Sequence, residues 1–179
     1  MKEMSRRSFL KAGTAATAAL ALTPSDLLAK AKANKKNVNT GKIKLLGVGV
    51  GGRGHADING VTYKGKGEIY DDIEFIGMCD VDQKYAKGVL DEYQKLFPNM
   101  KIYNDYKKMY AELLDQADAV ICGTADHTHA IICAEALAAG KHVYCEKPLT
   151  RTVYESRLLT KLAAKAGVAT QMGNQGSSG

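Results

Sequence analysis

From residue 43 onward, the apolar residues of this chain form short continuous runs that alternate with longer runs at helical spacing. The short runs predict buried strands, and the longer runs predict helices. The predicted strands are residues 43–48, 73–79, 101–103, 117–123, 142–145 and 168–173. The predicted helices are residues 82–97, 106–116, 129–140 and 153–167, and we expect a further helix after the glycines at 47–54.

This pattern of strands and helices indicates the fold class. Continuous rather than alternating apolar strands are typical of a parallel sheet with helices on both faces. Six such strands separated by helices predict an α/β fold with a doubly wound parallel sheet, the Rossmann dinucleotide-binding domain. We place this domain at residues 43–173, after a polar linker at residues 34–42.

The first 33 residues have the pattern of an export signal. Arg6 and Arg7 stand side by side, a mild apolar run follows at 12–22, and the small-residue pattern "AKA" ends the segment. This order predicts a cleaved signal peptide of the twin-arginine type, which a receptor reads as an address. The alternative is a basic amphipathic starting helix. We expect a periplasmic or otherwise exported protein without a stable membrane anchor, because no apolar run is long enough to span a bilayer.

The charge distribution argues against nucleic-acid binding. The chain has a net charge of +6, and residues 1–33 hold six basic and two acidic side chains, a net of +4. The remainder therefore carries only +2. A nucleic-acid partner would require a clustered basic face, and we expect none.

The cysteines lie inside apolar runs and form no CxxC pair: Cys79, Cys122, Cys133 and Cys145. Export would permit disulfides, but buried free thiols are favoured by these surroundings. A metal site could be assembled from Cys133 and Cys145 with three of the four histidines. That spacing fits no zinc pattern, so we expect no metal.

A glycine-rich segment directly after the first strand is the first chemical signal. "GVGVGGRG", residues 47–54, contains Gly47-x-Gly49-x-x-Gly52. In a dinucleotide-binding loop the first glycine permits a tight turn, the second lets the backbone approach a pyrophosphate, and the third lets helix and strand pack closely. Asp80 ends the second strand, where a carboxylate can bind both hydroxyls of the adenosine ribose. A helix cap for Asp80, or a methyltransferase-type sheet for the region, are the alternatives.

Polar residues follow the fourth and fifth predicted strands at their carboxyl ends. Glu146 and Lys147 come after the fifth strand, and residues 124–129 come after the fourth. Ligands of open parallel sheets lie along this edge. A lysine there can hydrogen-bond a ribose or substrate hydroxyl and transfer a proton. The alternative is a Glu–Lys surface pair of little energetic value.

Together, "GVGVGGRG", "CDVD", "GTADHTHA", "AGKHVYCEKPLT" and "TQMGNQGSSG" resemble the Gfo/Idh/MocA family, the glucose–fructose oxidoreductase and inositol dehydrogenase group. The resemblance runs from about residue 43 to the end. It implies nicotinamide-dependent redox chemistry on a sugar, polyol or related compound. It also implies a catalytic role for Lys147 near the reacting hydroxyl, and a cis peptide bond before Pro148.

The resemblance and the loop positions together define the residues expected to bind the cofactor. We expect NAD, with NADP disfavoured by the carboxylate of Asp80. The expected cofactor-binding residues are Gly47, Gly49, Gly51, Gly52, Arg53, Asp80, Gly123, Thr124, Asp126, His127, His129, Glu146, Lys147, Asn174 and Gln175.

The family resemblance also implies a second α/β domain that carries substrate residues. We expect residues 174–179 to begin the connection to that domain, and this chain to be the cofactor-binding fragment of a longer protein. The complete protein is expected to bind a small carbohydrate-type substrate and to form a homo-oligomer. An NAD-dependent glycoside hydrolase of the same family and a non-catalytic NAD-binding module are the alternative functions.

Overall fold

The structure is a computed structural model that describes residues 23–30, 41–65 and 67–175. The paired arginines, the apolar run at 12–22, the "AKA" segment and residues 34–40 of the linker lie outside the described residues, as do residues 176–179. The structure therefore does not test the predictions made for these segments.

The described strands form a single parallel sheet. The strands are β1 (Ile43–Val48), β2 (Ile73–Cys79), β3 (Lys101–Tyr103), β4 (Ala119–Cys122), β5 (His142–Cys145) and β6 (Thr170–Met172). Their spatial order is β3-β2-β1-β4-β5-β6, and every neighbouring pair is parallel. This is the doubly wound order, so the predicted fold class is confirmed.

Six α-helices accompany the sheet in the described ranges. They are α1 (Pro24–Lys30), α2 (Arg53–Thr62), α3 (Lys87–Leu96), α4 (Tyr106–Leu113), α5 (His129–Ala138) and α6 (Val153–Ala166). Asp105 caps α4 by accepting from Lys107 N at 2.8 Å. Thr152 and Glu155 form a reciprocal capping box at the start of α6. No helix within the described ranges is long and apolar enough to cross a membrane.

Several predicted elements are shorter in the structure, and two of them begin late for local reasons. The helix predicted from residue 82 begins at Lys87, because Asp82 accepts from Tyr85 N at 2.9 Å and closes a turn first. The strand predicted from residue 117 begins at Ala119, because a short 3-10 turn at Leu114–Gln116 follows α4. In both cases a hydrogen-bonded turn precedes the helix or strand, and the pattern of residues there also suits that helix or strand.

The apolar core lies on both faces of the sheet. One cluster includes Leu46 and Val48 of β1 with apolar residues of α4, α5 and α6. The other includes Leu45 and Phe75 with residues of α2 and α3, and Phe75 meets the ring of Tyr93 edge-on at 5.4 Å. Burial of the sheet on both faces explains why its strands are continuously apolar.

Helix α1 packs against the domain even though it lies within the predicted signal segment. Leu27 is 5% exposed and belongs to the core cluster on the side of α5 and α6. Lys165 of α6 donates through Nζ to the carbonyl oxygen of Leu28. The cleavage point after residue 33 stays a prediction.

All four cysteines lie in the described part of the chain and are buried free thiols, as predicted. Burial raises the pKa of the Cys79 thiol to about 12. The other three form a separate group: Cys122, Cys133 and Cys145. Hydrogen bonds from Cys133 and then Cys145 lower the pKa of Cys122, and the bond to Cys122 raises that of Cys133.

Candidate dinucleotide-binding site

The carboxyl ends of the strands surround a cavity of about 440 Å³. This volume falls within the range of small-molecule sites, about 300–1,000 Å³. Six predicted cofactor-binding residues line it: Gly49, Gly51, Asp80, Gly123, Thr124 and His127. Residues beyond the prediction also contribute, notably the exposed side chains of Val81 and Tyr85.

The floor of this cavity depends on three glycines in close contact. Gly49 has a φ of 72°, and a Cβ there would lie 2.6 Å from Thr124 Cα. A Cβ on Gly54 would lie 1.8 Å from the carbonyl oxygen of Gly49. A Cβ on Gly123 would lie 2.5 Å from Gly54 Cα. Only hydrogen side chains allow α2, the β1 loop and the β4 loop to meet this closely.

The close-packing role belongs to Gly54 and not to Gly52, the third glycine of the predicted motif. The contact between helix and loop belongs to Gly54, whereas a Cβ on Gly52 would meet only the ring of Tyr85, at 3.3 Å or more. Gly52 is instead the N-cap of α2, with a φ of 55°. The glycine spacing alone could not separate these roles, because five of the eight residues in 47–54 are glycines.

The start of α2 is suited to an anion. Within the described residues no side chain caps this ten-residue helix. Helix N-termini leave backbone N–H groups without intrahelical acceptors, and the helix dipole places partial positive charge there. The residues of the loop therefore fit a pyrophosphate, and the glycines leave room for its approach.

Asp80 holds the glycine loop directly. Its Oδ2 accepts from Gly51 N at 2.9 Å, and its Oδ1 accepts from Asp82 N at 3.0 Å. A carboxylate can accept about four hydrogen bonds, so two hydroxyl donors can join these two. Asp82 accepts from Tyr85 N and makes the turn before α3, whose N-cap is Ala86, so neither Asp80 nor Asp82 caps that helix.

A second group of predicted residues meets around Glu146, which is 3% exposed. Its carboxylate accepts from Arg53 Nε at 3.1 Å, from Lys147 N at 3.0 Å and from Gln175 Nε2. Burial opposes its ionisation, but the bonds from Arg53 and the Lys147 backbone lower the pKa of Glu146 overall. This contact set joins α2, the segment after β5 and the segment after β6.

Asp57 belongs to this group and was missed by the sequence analysis. Its Oδ1 lies 3.3 Å from Arg53 Nη2, and its Oδ2 finds no hydrogen-bond partner within the described chain. Burial, and after it the neighbouring carboxylate of Glu146, raise the pKa of Asp57 to about 6. The available signal was the i,i+4 spacing from Arg53 on a helix.

The remaining predicted residues occupy different positions. Lys147 is exposed, and its peptide bond to Pro148 is cis, as the resemblance implied. The ring nitrogens of His129 lie 2.9 Å from Thr124 O and 2.8 Å from Pro148 O, so this buried side chain ties the two loops together. Gly47, Asp126 and Asn174 do not line this cavity.

A parallel six-stranded sheet with a glycine loop, an acidic residue after the second strand and a cleft at the carboxyl ends of the strands defines a Rossmann dinucleotide-binding domain. The family model described as "Oxidoreductase family, NAD-binding Rossmann fold", of the Gfo/Idh/MocA group, matches residues 43–174. The chain belongs to this family. A twin-arginine signal sequence matches residues 3–23, which indicates export to the periplasm.

The names of the related proteins describe more than one kind of activity. An inositol 2-dehydrogenase of Salmonella paratyphi B is 29% identical over 70% of this chain and 34% of its own length. An α-N-acetylgalactosaminidase of Shewanella oneidensis is 28% identical over 87% of the chain and 36% of its own length. The chain thus spans about a third of the curated relatives that it matches.

Solved structures share the fold. The WlbA dehydrogenase of Chromobacterium violaceum, solved with NADH and UDP-GlcNAcA, superposes with a TM-score of 0.63 at 25% identity. The superposition covers 78% of this chain and 37% of that chain. A myo-inositol 2-dehydrogenase from Lactobacillus plantarum superposes with a TM-score of 0.61 at 20% identity, which is a likeness of fold.

Proposed function

We propose that this chain is the cofactor-binding part of an exported, NAD-dependent oxidoreductase that acts on a sugar, a polyol or a related compound. The observation that carries the proposal is the mutual contact of Gly49, Gly54 and Gly123 beneath a cavity bordered by Asp80. A cleft of this construction suits a pyrophosphate and the ribose beside it. NAD would supply the electron acceptor for the reaction.

On this proposal the two sides of the cleft have different tasks. The start of α2 holds the phosphates, and Asp80 accepts hydrogen bonds from the adenosine ribose while it keeps Gly51 in place. The carboxylate of Asp80 would repel the additional phosphate of NADP. NAD is therefore the preferred cofactor.

Lys147 is the proposed catalytic residue. It is exposed at the carboxyl end of β5, and its backbone N is held by Glu146 Oε2 at 3.0 Å. The carboxylate in turn receives Arg53 and Gln175. This arrangement fixes the start of the lysine side chain and leaves its Nζ able to exchange a proton with a substrate hydroxyl.

The substrate class is supported by the relatives' names. Inositol is a polyol, and UDP-GlcNAcA is a nucleotide sugar acid, so both present secondary hydroxyl groups to a nicotinamide enzyme. A small carbohydrate-type compound is the proposed substrate of the complete protein. Its identity would be decided by residues beyond this cleft.

An NAD-dependent glycoside hydrolase is the second candidate. The α-N-acetylgalactosaminidase of Shewanella oneidensis is as similar to this chain as the inositol dehydrogenase is, 28% against 29%. Transient oxidation of a sugar would use the same cofactor cleft and the same lysine. The two candidates differ in whether net NADH is produced.

The chain by itself is proposed to bind the cofactor weakly and to turn over no substrate. Oxidation requires a substrate carbon held close to the nicotinamide ring by residues on both sides of it. The described residues supply one side, and the aligned part of the chain covers only 34% of the inositol dehydrogenase's length. A non-catalytic NAD-binding module is the alternative for a chain of this length.

The test is an assay of the complete gene product with NAD and a panel of sugars, polyols and aryl glycosides. The oxidoreductase proposal expects stoichiometric NADH from at least one sugar or polyol. Release of free sugar without net NADH would establish the glycosidase instead. Retained NAD binding with neither product would contradict both enzymatic proposals and leave the binding module.

A further inference from the structure

Three thiols meet inside the core, and none of them is among the residues that the dinucleotide proposal uses. Cys122 ends β4, Cys145 ends β5 and Cys133 lies within α5. Their exposed fractions are 0%, 0% and 1%. The three Sγ atoms all lie within 4.8 Å of one another. Cys122 and Cys145 are also direct partners across the parallel strand pair, so the backbone holds two of the donors side by side.

The size of this triangle suits a metal ion. A metal–thiolate bond is about 2.3 Å long, so three sulfurs around one ion form a triangle with sides of about 4 Å. The present upper limit of 4.8 Å requires a contraction of no more than about 0.8 Å on any side. Small changes in side-chain torsion can supply that movement without a change in the backbone.

The donor set selects the class of ion. Structural zinc sites use four ligands, whereas the group found among the described residues contains three cysteines. Thiolates favour soft ions, and Cu(I) is the soft ion of biological relevance that they select. A site with only three ligands, all of them sulfur, therefore favours Cu(I) over Zn²⁺.

A cavity of about 120 Å³ reaches the cluster from one side. Cys133 and Cys145 line it, and so does Met172, which is the strand partner of Cys145 on β6. A thioether is a second kind of soft donor. The cavity therefore brings a methionine thioether and two of the thiols to the same space.

We propose that Cys122, Cys133 and Cys145 bind one soft, low-coordinate metal ion of the Cu(I) class within the core. Each thiol that coordinates releases its proton to solvent, and the ion keeps its oxidation state. The site joins β4, β5 and α5. It also lies next to the dinucleotide cleft, because Cys122 Sγ is 3.4 Å from the hydroxyl of Thr124, which lines that cavity.

The experiment is an anaerobic titration of the reduced chain with Cu(I), in competition with a chromophoric Cu(I) chelator. We expect one Cu(I) per chain, ultraviolet thiolate-to-copper charge-transfer absorption, and a rise in melting temperature, because the ion binds the folded state. Zn²⁺ added alone should bind at least tenfold more weakly. Failure of the wild-type chain to take Cu(I) from the chelator would overturn the proposal, whatever the variants do.

The fourth cysteine provides the matched control. Cys79 is also buried, at 2% exposure, but it lies outside the cluster. Cys133→Ala and Cys145→Ser should each weaken Cu(I) binding at least tenfold, whereas Cys79→Ser should leave it unchanged. Circular dichroism checks that each variant is folded. Cys133→Ala should pass this check, because position 133 lies within a helix, where alanine is well tolerated. Equal loss of binding in Cys79→Ser and Cys133→Ala would contradict the assignment.

Discussion

Arg53 Nε donates to Glu146 Oε1 over 3.1 Å, so the first residue of α2 is joined to the residue that follows β5. The two residues are 93 positions apart in the chain. The same carboxylate accepts from the backbone of Lys147. The glycine-loop helix and the proposed catalytic lysine are thereby held in one hydrogen-bonded unit. Four predictions follow from the placement of these residues.

Removal of the charged group of Lys147 should affect turnover more than cofactor binding. Lys147→Met keeps most of the side-chain length but cannot transfer a proton. In the complete protein we expect kcat to fall by about 10²–10⁴-fold, the usual contribution of a positioned acid or base. Lys161→Met, an exposed lysine on α6, is the control and should keep its rate. Near-normal kcat in Lys147→Met would leave only a surface-pair role for this lysine.

Gly54→Ala should destabilise the fold. Its Cβ would lie 1.8 Å from the Gly49 carbonyl oxygen, so the helix or the loop must move. We expect a loss of more than about 3 kcal/mol in the free energy of unfolding, measured by urea denaturation. Gly60→Ala on the same helix meets no atom within 4 Å and should gain about 0.5–1 kcal/mol. Equal effects of the two substitutions would refute the close-contact argument.

The carboxyl of Asp57 should make stability depend on pH. Its pKa is raised from 3.8 in the unfolded chain to about 6 in the fold, so the folded state binds more protons between these values. This contribution to stability is lost as pH rises toward 6 and beyond. The lowered pKa of Glu146 keeps its carboxylate ionised between about pH 5 and 6.5. Over this range the melting temperature of the wild type should fall relative to that of Asp57→Asn. Asp71→Asn, at an exposed position, should instead run parallel to wild type.

Most of the sheet could be predicted from local pattern. The bounds of β1, β2, β3 and β5 agree with the predicted runs to the residue, because each run is mainly apolar and is followed by a polar residue or a glycine. The start of α3 was predicted too early. Asp82 can either begin a helix or close a turn, and its bond to Tyr85 N makes the turn.

The candidate site was predicted less completely than the fold. Asp80 and Glu146 could be expected near the cleft, because both follow strands of a parallel sheet. The burial of Asp57 against Glu146 and the meeting of Cys122 with Cys133 depend on how helices pack onto the sheet. Such contacts join residues whose proximity does not show in the local sequence pattern. Among these contacts, the helical spacing of Asp57 from Arg53 was the one signal that the sequence contained.

The central claim is that the cleft at Asp80 binds NAD, and calorimetric titration of the chain with NAD and NADP tests it most directly. We predict one NAD per chain and a preference over NADP of about 5–150-fold, equivalent to about 1–3 kcal/mol. Asp80→Ser should narrow that ratio, and Asp82→Ser should preserve it, since Asp82 serves the turn before α3. A folded chain that shows no saturable NAD binding, or that binds NADP as tightly as NAD, would contradict the account.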